Sequence, residues 1–150
     1  MNLYTIGFTK KNAHHFFNIL IANKIDLLLD IRLNNKTQLA GFTKGDDLAY
    51  FLSEICHCAY EWNLEFAPTK VILDGYRDKE FSWSDYEQKY KELLRVRNNE
   101  KSICDDFCKN YSQYRNIVLL CSEPTPDMCH RRLAAETIIS SNPNVCLKHL

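Results

Sequence analysis

A thiol, a carboxylate, a second thiol, an imidazole and two guanidinium groups fall within twelve residues, at Cys121, Glu123, Cys129, His130, Arg131 and Arg132. Each type has a chemical use. A cysteine at the end of a strand, near arginine and a helix N-terminus, has its thiolate stabilised and can act as a nucleophile, which makes Cys121 or Cys129 the candidate. Glu123 and His130 could work as an acid and base pair, because a carboxylate can orient an imidazole and hold it near neutral pKa. Arg131 and Arg132 fall in the first turn of a predicted helix, where positive side chains oppose the macrodipole, so they make more sense facing an anion. The helix N-terminus itself offers free N–H groups to a phosphate or carboxylate. Plain readings stand beside these: Cys121 as a core residue completing its strand, and Glu123 as the salt-bridge partner of Arg32 or Arg131. One mechanism is excluded. A cysteine phosphatase loop needs arginine six positions after its cysteine, and that position is Asp127.

The elements that must position these groups alternate between strand and helix. Leu3–Ile6 is a short apolar run closed by Gly7, followed by Ala13, Phe16, Phe17, Leu20 and Ile21 at helical spacing, with Thr9 or Asn12 as cap. Ile25–Ile31 is nearly all apolar without alternation, the mark of a strand buried on both faces of a parallel sheet. Gly45-Asp46-Asp47 opens a second helical pattern in Leu48, Phe51, Leu52 and Ile55, and Tyr60–Trp62 is a short aromatic strand. Glu65–Phe81 reads as irregular. Ser84 with Glu87 is a capping box ahead of a long helix carrying Tyr86, Tyr90, Leu93 and Leu94. The charge-rich stretch from Arg95 to Asp106 reads as a surface connection, and Asp105–Tyr111 as a helix. Asn116–Cys121 is the clearest buried strand, a helix follows from His130, Asn142-Pro143-Asn144 breaks it, and Val145-Cys146-Leu147 is a terminal strand.

The expected fold class is therefore α/β: a single compact domain over residues 1–150, with a mostly parallel sheet and helices on both faces, a Rossmann-like three-layer arrangement. An eight-unit barrel is too large for 150 residues. In such a sheet, ligands bind beyond the carboxyl ends of the strands. Gly7, Asp30, Arg32 and the Cys121–Arg132 segment would then meet at one edge, with Gly7, Asp30, Arg32, Arg131 and Arg132 as substrate-binding residues. Asp30 and Arg32 alternate along a strand end and so point to the same side.

Composition narrows the partners. Lys plus Arg and Asp plus Glu number 19 each, so no global positive field draws the chain to nucleic acid or an anionic membrane. Nor does any apolar run approach the ~20 residues of a membrane span. Seven cysteines, an odd set without an export signal, read as reduced thiols in a cytoplasmic protein. Tyr76, Arg77, Lys79, Phe81, Trp83, Tyr86, Lys89 and Tyr90 interleave aromatic and basic residues, but Asp74, Asp78, Glu80, Asp85 and Glu87 cancel the charge. A solvated helix face with aromatic packing fits better than a single-strand binding surface. Cys56-His57-Cys58 could add to Cys121, Cys129 and His130 as metal ligands, but no second pair matches Cys56-x-Cys58 or Cys104-x3-Cys108, and no metal is expected. His14 and His15 read as surface or edge residues; His149, at the end of the last strand, could reach the site, with a frayed terminus as the plain reading.

Tyr4-Thr5-Ile6-Gly7, Asp30-Ile31-Arg32, Leu119-Leu120-Cys121-Ser122-Glu123, Cys129-His130-Arg131 and the closing Val145 with His149-Leu150 together resemble the family of domain of unknown function 488. These features span nearly the whole chain in the family's order. The resemblance implies a compact α/β domain and brings no established reaction with it. The chain departs from the family pattern at Phe8-Thr9, where members carry His-Ser, and at Asp74-Gly75, where a Gly-Gly stretch is expected.

The functional expectation is a small cytoplasmic enzyme acting on an anionic substrate, phosphate-bearing and nucleotide- or nucleic-acid-linked among the options. The alternatives are a non-catalytic module that binds phosphate or nucleic acid, and a structural-zinc protein. Cofactor, substrate identity and oligomeric state carry no sequence signal.

Overall fold

Ile117–Leu120 is apolar at every position, and a strand with that composition needs cover on both faces. The computed structural model, which describes residues 1–36, 40–98, 102–140 and 144–150, places it at the centre of the molecule. Strand β1 is Asn2–Gly7, β2 Leu27–Asp30, β3 Ala59–Trp62, β4 Asn116–Cys121 and β5 Cys146–His149. Among the described residues these five form one sheet in the order β3-β2-β4-β1-β5, and every pairing is parallel. The register puts Gly7 opposite Cys121, Asp30 opposite Leu120 and Trp62 opposite Asp30, so the carboxyl ends of four strands share one edge.

Helices cover both faces. One layer holds α1 (Ala13–Ala22) and α2 (Gly45–Phe51), packed on Ile6, Leu28, Val118 and Leu120. The other holds α3 (Lys70–Arg77), α4 (Trp83–Arg97), α5 (Ile103–Asn110) and α6 (His130–Ile139), packed on Leu3, Leu27, Leu29, Ile117 and Leu119. The direction of travel explains the division. From β1 through β2 to β3 the chain moves toward one edge of the sheet, and from β3 through β4 to β5 it moves back, so same-handed crossovers must change face. The loop leaving β4 therefore runs to the opposite face from those leaving its neighbours β1 and β2. Cys121, the last residue of β4, stands at that divergence.

Local signals set most boundaries. Asn12 caps α1 by accepting a hydrogen bond from the His15 amide at 2.8 Å. The second helical pattern is split: α2 ends at Phe51 and continues as a π turn over Leu52–Cys56, which His57 closes in a left-handed conformation at φ 51°.

Four expectations are corrected. The capping box of α4 is Ser82 with Asp85, not Ser84 with Glu87; the sequence offers both pairs, and starting at Ser82 stacks Trp83 on Tyr86 with ring centroids 5.1 Å apart. The stretch from Glu65 to Phe81 is not all irregular. It contains α3, capped by Thr69, whose weak helix formers mask its pattern; Gly75 is required there because Phe81 packs where a Cβ would stand. The Arg95–Asp106 connection is shorter than expected, since α4 runs to Arg97 and α5 begins at Ile103, with residues 99–101 outside the described set. The terminal strand begins one residue later and reaches His149, while Asn142 and Pro143 of the predicted break lie outside the described residues.

Candidate functional site

The polar residues at the carboxyl edge divide between the two faces of the sheet. Asp30 and Arg32 lie on the α2 side and bind each other. Asp30 Oδ1 accepts from Arg32 Nε at 2.8 Å and from its amide at 3.1 Å, and Oδ2 accepts from Arg32 Nη2 at 2.6 Å and the Tyr60 hydroxyl at 2.9 Å. Nη2 also donates to the Thr43 carbonyl, the guanidinium lies over the Phe8 ring, and Trp62 Nε1 donates to the Arg32 carbonyl. Arg32 Nη1 is the one nitrogen of this guanidinium left without a partner. The pair joins β2, β3 and the loop ahead of α2.

Cys121, Cys129, His130 and Arg131 lie on the α6 side. Cys121 ends β4, Cys129 is the N-cap of α6, and His130 and Arg131 open that helix. His130 is held from two directions: Nδ1 is 3.5 Å from Cys121 Sγ, and Nε2 is 3.0 Å from the Ile31 carbonyl. That second bond crosses from the α6 cluster to the residue between Asp30 and Arg32. Tyr90 meets the imidazole edge to face at 5.8 Å.

Arg131 is the largest fully buried side chain among the described residues. Its Nη1 donates to the Glu123 carbonyl at 2.5 Å and to Cys129 Sγ at 3.5 Å, while Nε and Nη2 have no partner. Gly7 fits tightly beside it, since a Cβ there would strike both the Glu123 carbonyl and Arg131 Nη1. Lys11 Nζ donates to the Gly7 carbonyl at 2.9 Å. On the far side of β1, His149 Nδ1 lies 2.7 Å from the Thr5 hydroxyl, so the last strand is tied to the site rather than frayed.

The electrostatics follow from this geometry. The Cys129 hydrogen bond, opposed by burial and reinforced by the His130 charge, holds the Cys121 thiol well below its ordinary value. The same hydrogen bond, with burial, pushes the Cys129 thiol up. Burial acts to lower His130, but the Cys121 charge and hydrogen bond outweigh it and raise the imidazole above its usual value. These shifts act in the directions that favour a charged Cys121–His130 pair and a protonated Cys129 thiol. Burial and Arg131 depress the Lys11 ammonium, and burial and Arg131 likewise lower His149.

One donor atom each from Cys121, Cys129 and His130 lie within 4.8 Å of one another, and among the described residues no further His, Cys, Asp or Glu joins them. They could supply three ligands to a thiophilic ion such as zinc, whose bonds to sulfur and nitrogen are about 2.3 and 2.0 Å. Arg131, bonded to one of these sulfurs and with two buried N–H groups lacking partners, places a positive charge against a cation there. Cys56, His57 and Cys58 precede β3 at the amino edge of the sheet, away from Cys121.

The two remaining candidates stand apart from His130. The Glu123 side chain is exposed, and the residue serves the site through its backbone carbonyl, so it is not brought to His130 as an acid–base partner. Arg132 turns outward to the Asp127 carbonyl, Glu136 and Glu87. Sequence reasoning missed Lys11 and Tyr90, and reached Thr5 only as part of the strand-end segment with Gly7. Only their position in space assigns them, although Thr5 two residues before Gly7 shares its face of β1.

The family model for "Domain of unknown function DUF488" matches residues 12–138, most of the chain, and the chain belongs to that family. Searches of curated proteins and of solved structures return no match. Among the described residues no helix is long and apolar enough to cross a membrane.

Proposed function

We propose that this member of the DUF488 family is a thiol-dependent enzyme for a small anionic substrate, with Cys121 as nucleophile, His130 as proton carrier and Arg131 as the anion-holding group. The observation that carries this reading is the buried guanidinium of Arg131, whose Nε and Nη2 lack partners beside the Cys121–His130 contact. An unsatisfied buried N–H group costs about 1–3 kcal/mol, more when charged, and an anion would relieve it. Lys11 adds a second cation. Asp30 and Arg32 act as positioning residues: their ion pair brackets Ile31, whose carbonyl sets the His130 ring. Gly7 admits the Glu123 carbonyl that anchors Arg131, and Arg132 orients α6 from outside. The substrate class is phosphate-like or carboxylate-like in charge, and the reactive thiol suits a reducing compartment.

A second reading, an anion-binding module without turnover, draws on Cys121 being only 4% exposed. Alkylation of Cys121 by iodoacetate and iodoacetamide, resolved by peptide mass spectrometry, separates the two. A free thiolate reacts faster with the neutral reagent. We expect Cys121 to prefer iodoacetate, and Arg131→Gln to abolish that preference. The rate should hold down through neutral pH, where a free thiol of pKa ~8.5 is mostly protonated, and fall only when acid reaches the depressed Cys121 value. No reaction in the native protein, or equal preference in both forms, would contradict the enzyme reading.

A further inference from the structure

We infer that Cys129 is a resolving thiol: Cys121 takes an oxygen from a small hydroperoxide, and Cys129 then closes a disulfide with it. The inference rests on the thiol reading above and not on its anionic substrate: a hydroperoxide is neutral, and the charge that Arg131 meets develops on the leaving oxygen. The sulfurs of Cys121 and Cys129 lie within 4.8 Å of each other. A transfer that used Cys121 alone would have no use for a second thiol there. Both side chains are buried, so an adduct on Cys121 is shielded from thiols in solution. Cys56, Cys58 and Cys146 sit toward the amino edge of the sheet, and Cys104 and Cys108 on α5. Cys129 is an N-cap residue in extended conformation, at φ −140° and ψ 135°, outside the regular helix.

The steps balance. The Cys121 sulfur attacks the terminal oxygen of the hydroperoxide, the O–O bond breaks, and the leaving alkoxide takes the proton of the His130 imidazolium. The free N–H groups of Arg131 face the negative charge that develops on that oxygen. Cys121 is now a sulfenic acid and His130 is neutral. His130 accepts the Cys129 proton, the Cys129 sulfur attacks the Cys121 sulfur, and the S–O bond breaks as hydroxide leaves with the His130 proton as water. Two thiols and a hydroperoxide become a disulfide, an alcohol and water, and an external dithiol reductant restores the thiols.

The test is one equivalent of hydrogen peroxide on the reduced full-length chain, with remaining thiols capped and peptides mapped. We expect a Cys121–Cys129 cross-link reversed by dithiothreitol. In Cys129→Ser, and in Cys129→Ala as a second variant, the cross-link is lost and the sulfenic acid on Cys121 is captured by dimedone. Iodoacetate preference at Cys121 without the cross-link, and without dimedone capture in the variants, would overturn the inference and leave the thiol reading standing. Silence of Cys121 toward both alkylation and peroxide would overturn both, as would stoichiometric zinc that shields Cys121, Cys129 and His130 together.

Discussion

Arg32 and Arg131 are both buried guanidinium groups, and their surroundings assign them opposite tasks. Arg32 has its counterion: Asp30 holds it through two side-chain hydrogen bonds, and neither is more than 3% exposed. Arg131 has a carbonyl, a thiol and two free nitrogens. Removing one partner of a buried ion pair strands the other, so Asp30→Ala should cost about 3–5 kcal/mol in denaturant unfolding. Arg131→Met replaces an uncompensated charge with apolar volume, and stability should be unchanged or rise, by up to about 4 kcal/mol. A loss at Arg131 as large as at Asp30 would mean that Arg131 serves the fold rather than a ligand. At this scale the sequence was partly legible. Cys121, Cys129, His130 and Arg131 sit close enough in the chain to be seen as a cluster. Glu123 was not legible, because its carbonyl rather than its carboxylate does the holding, and a residue's type does not reveal the use of its backbone.

The elements bring these residues together through register. Parallel pairing sets Gly7 beside Cys121, and the turn after Gly7 keeps close to the segment after Cys121, with the Thr9 amide donating to the Ser122 carbonyl at 3.1 Å. A methyl group at position 7 has nowhere to go, so Gly7→Ala should push the β4–α6 loop outward. We expect a cost of at least about 1–3 kcal/mol, typical of overpacking, together with loss of the iodoacetate preference at Cys121. Urea melts and site-resolved alkylation of the same sample check both. The central strands were legible because uniform apolarity has one structural meaning, burial on both faces. Helix α3 was not, since Val71, Ile72 and Gly75 give it poor helix propensity and packing on α4 holds it instead. The sequence also placed Asp30 and Arg32 on one side, correctly, but which face of the sheet that was depends on the crossovers, and they face away from Cys121.

At the scale of the molecule, the reversal of winding at β3 positions the site at the end of β4. The β4 loop leaves toward α6 while its neighbours' loops leave toward α1 and α2, and Cys121 stands at that divergence with Arg131 behind it. β5 completes the edge by bringing His149 to Thr5. Chain order reveals none of this, because the order β3-β2-β4-β1-β5 is fixed only when the strands pair. If this edge is an anion site, inorganic phosphate should stabilise the folded chain. At a hundredfold excess over its dissociation constant, a ligand adds about 2.7 kcal/mol, or roughly 5–10 °C for a chain of this length. We would therefore measure melting temperature against phosphate at constant ionic strength, for the native chain and for Arg131→Gln. A rise in the native chain that disappears in the variant is the expected result; equal shifts in both, or no shift in a well-folded native chain, would contradict an anion site at Arg131.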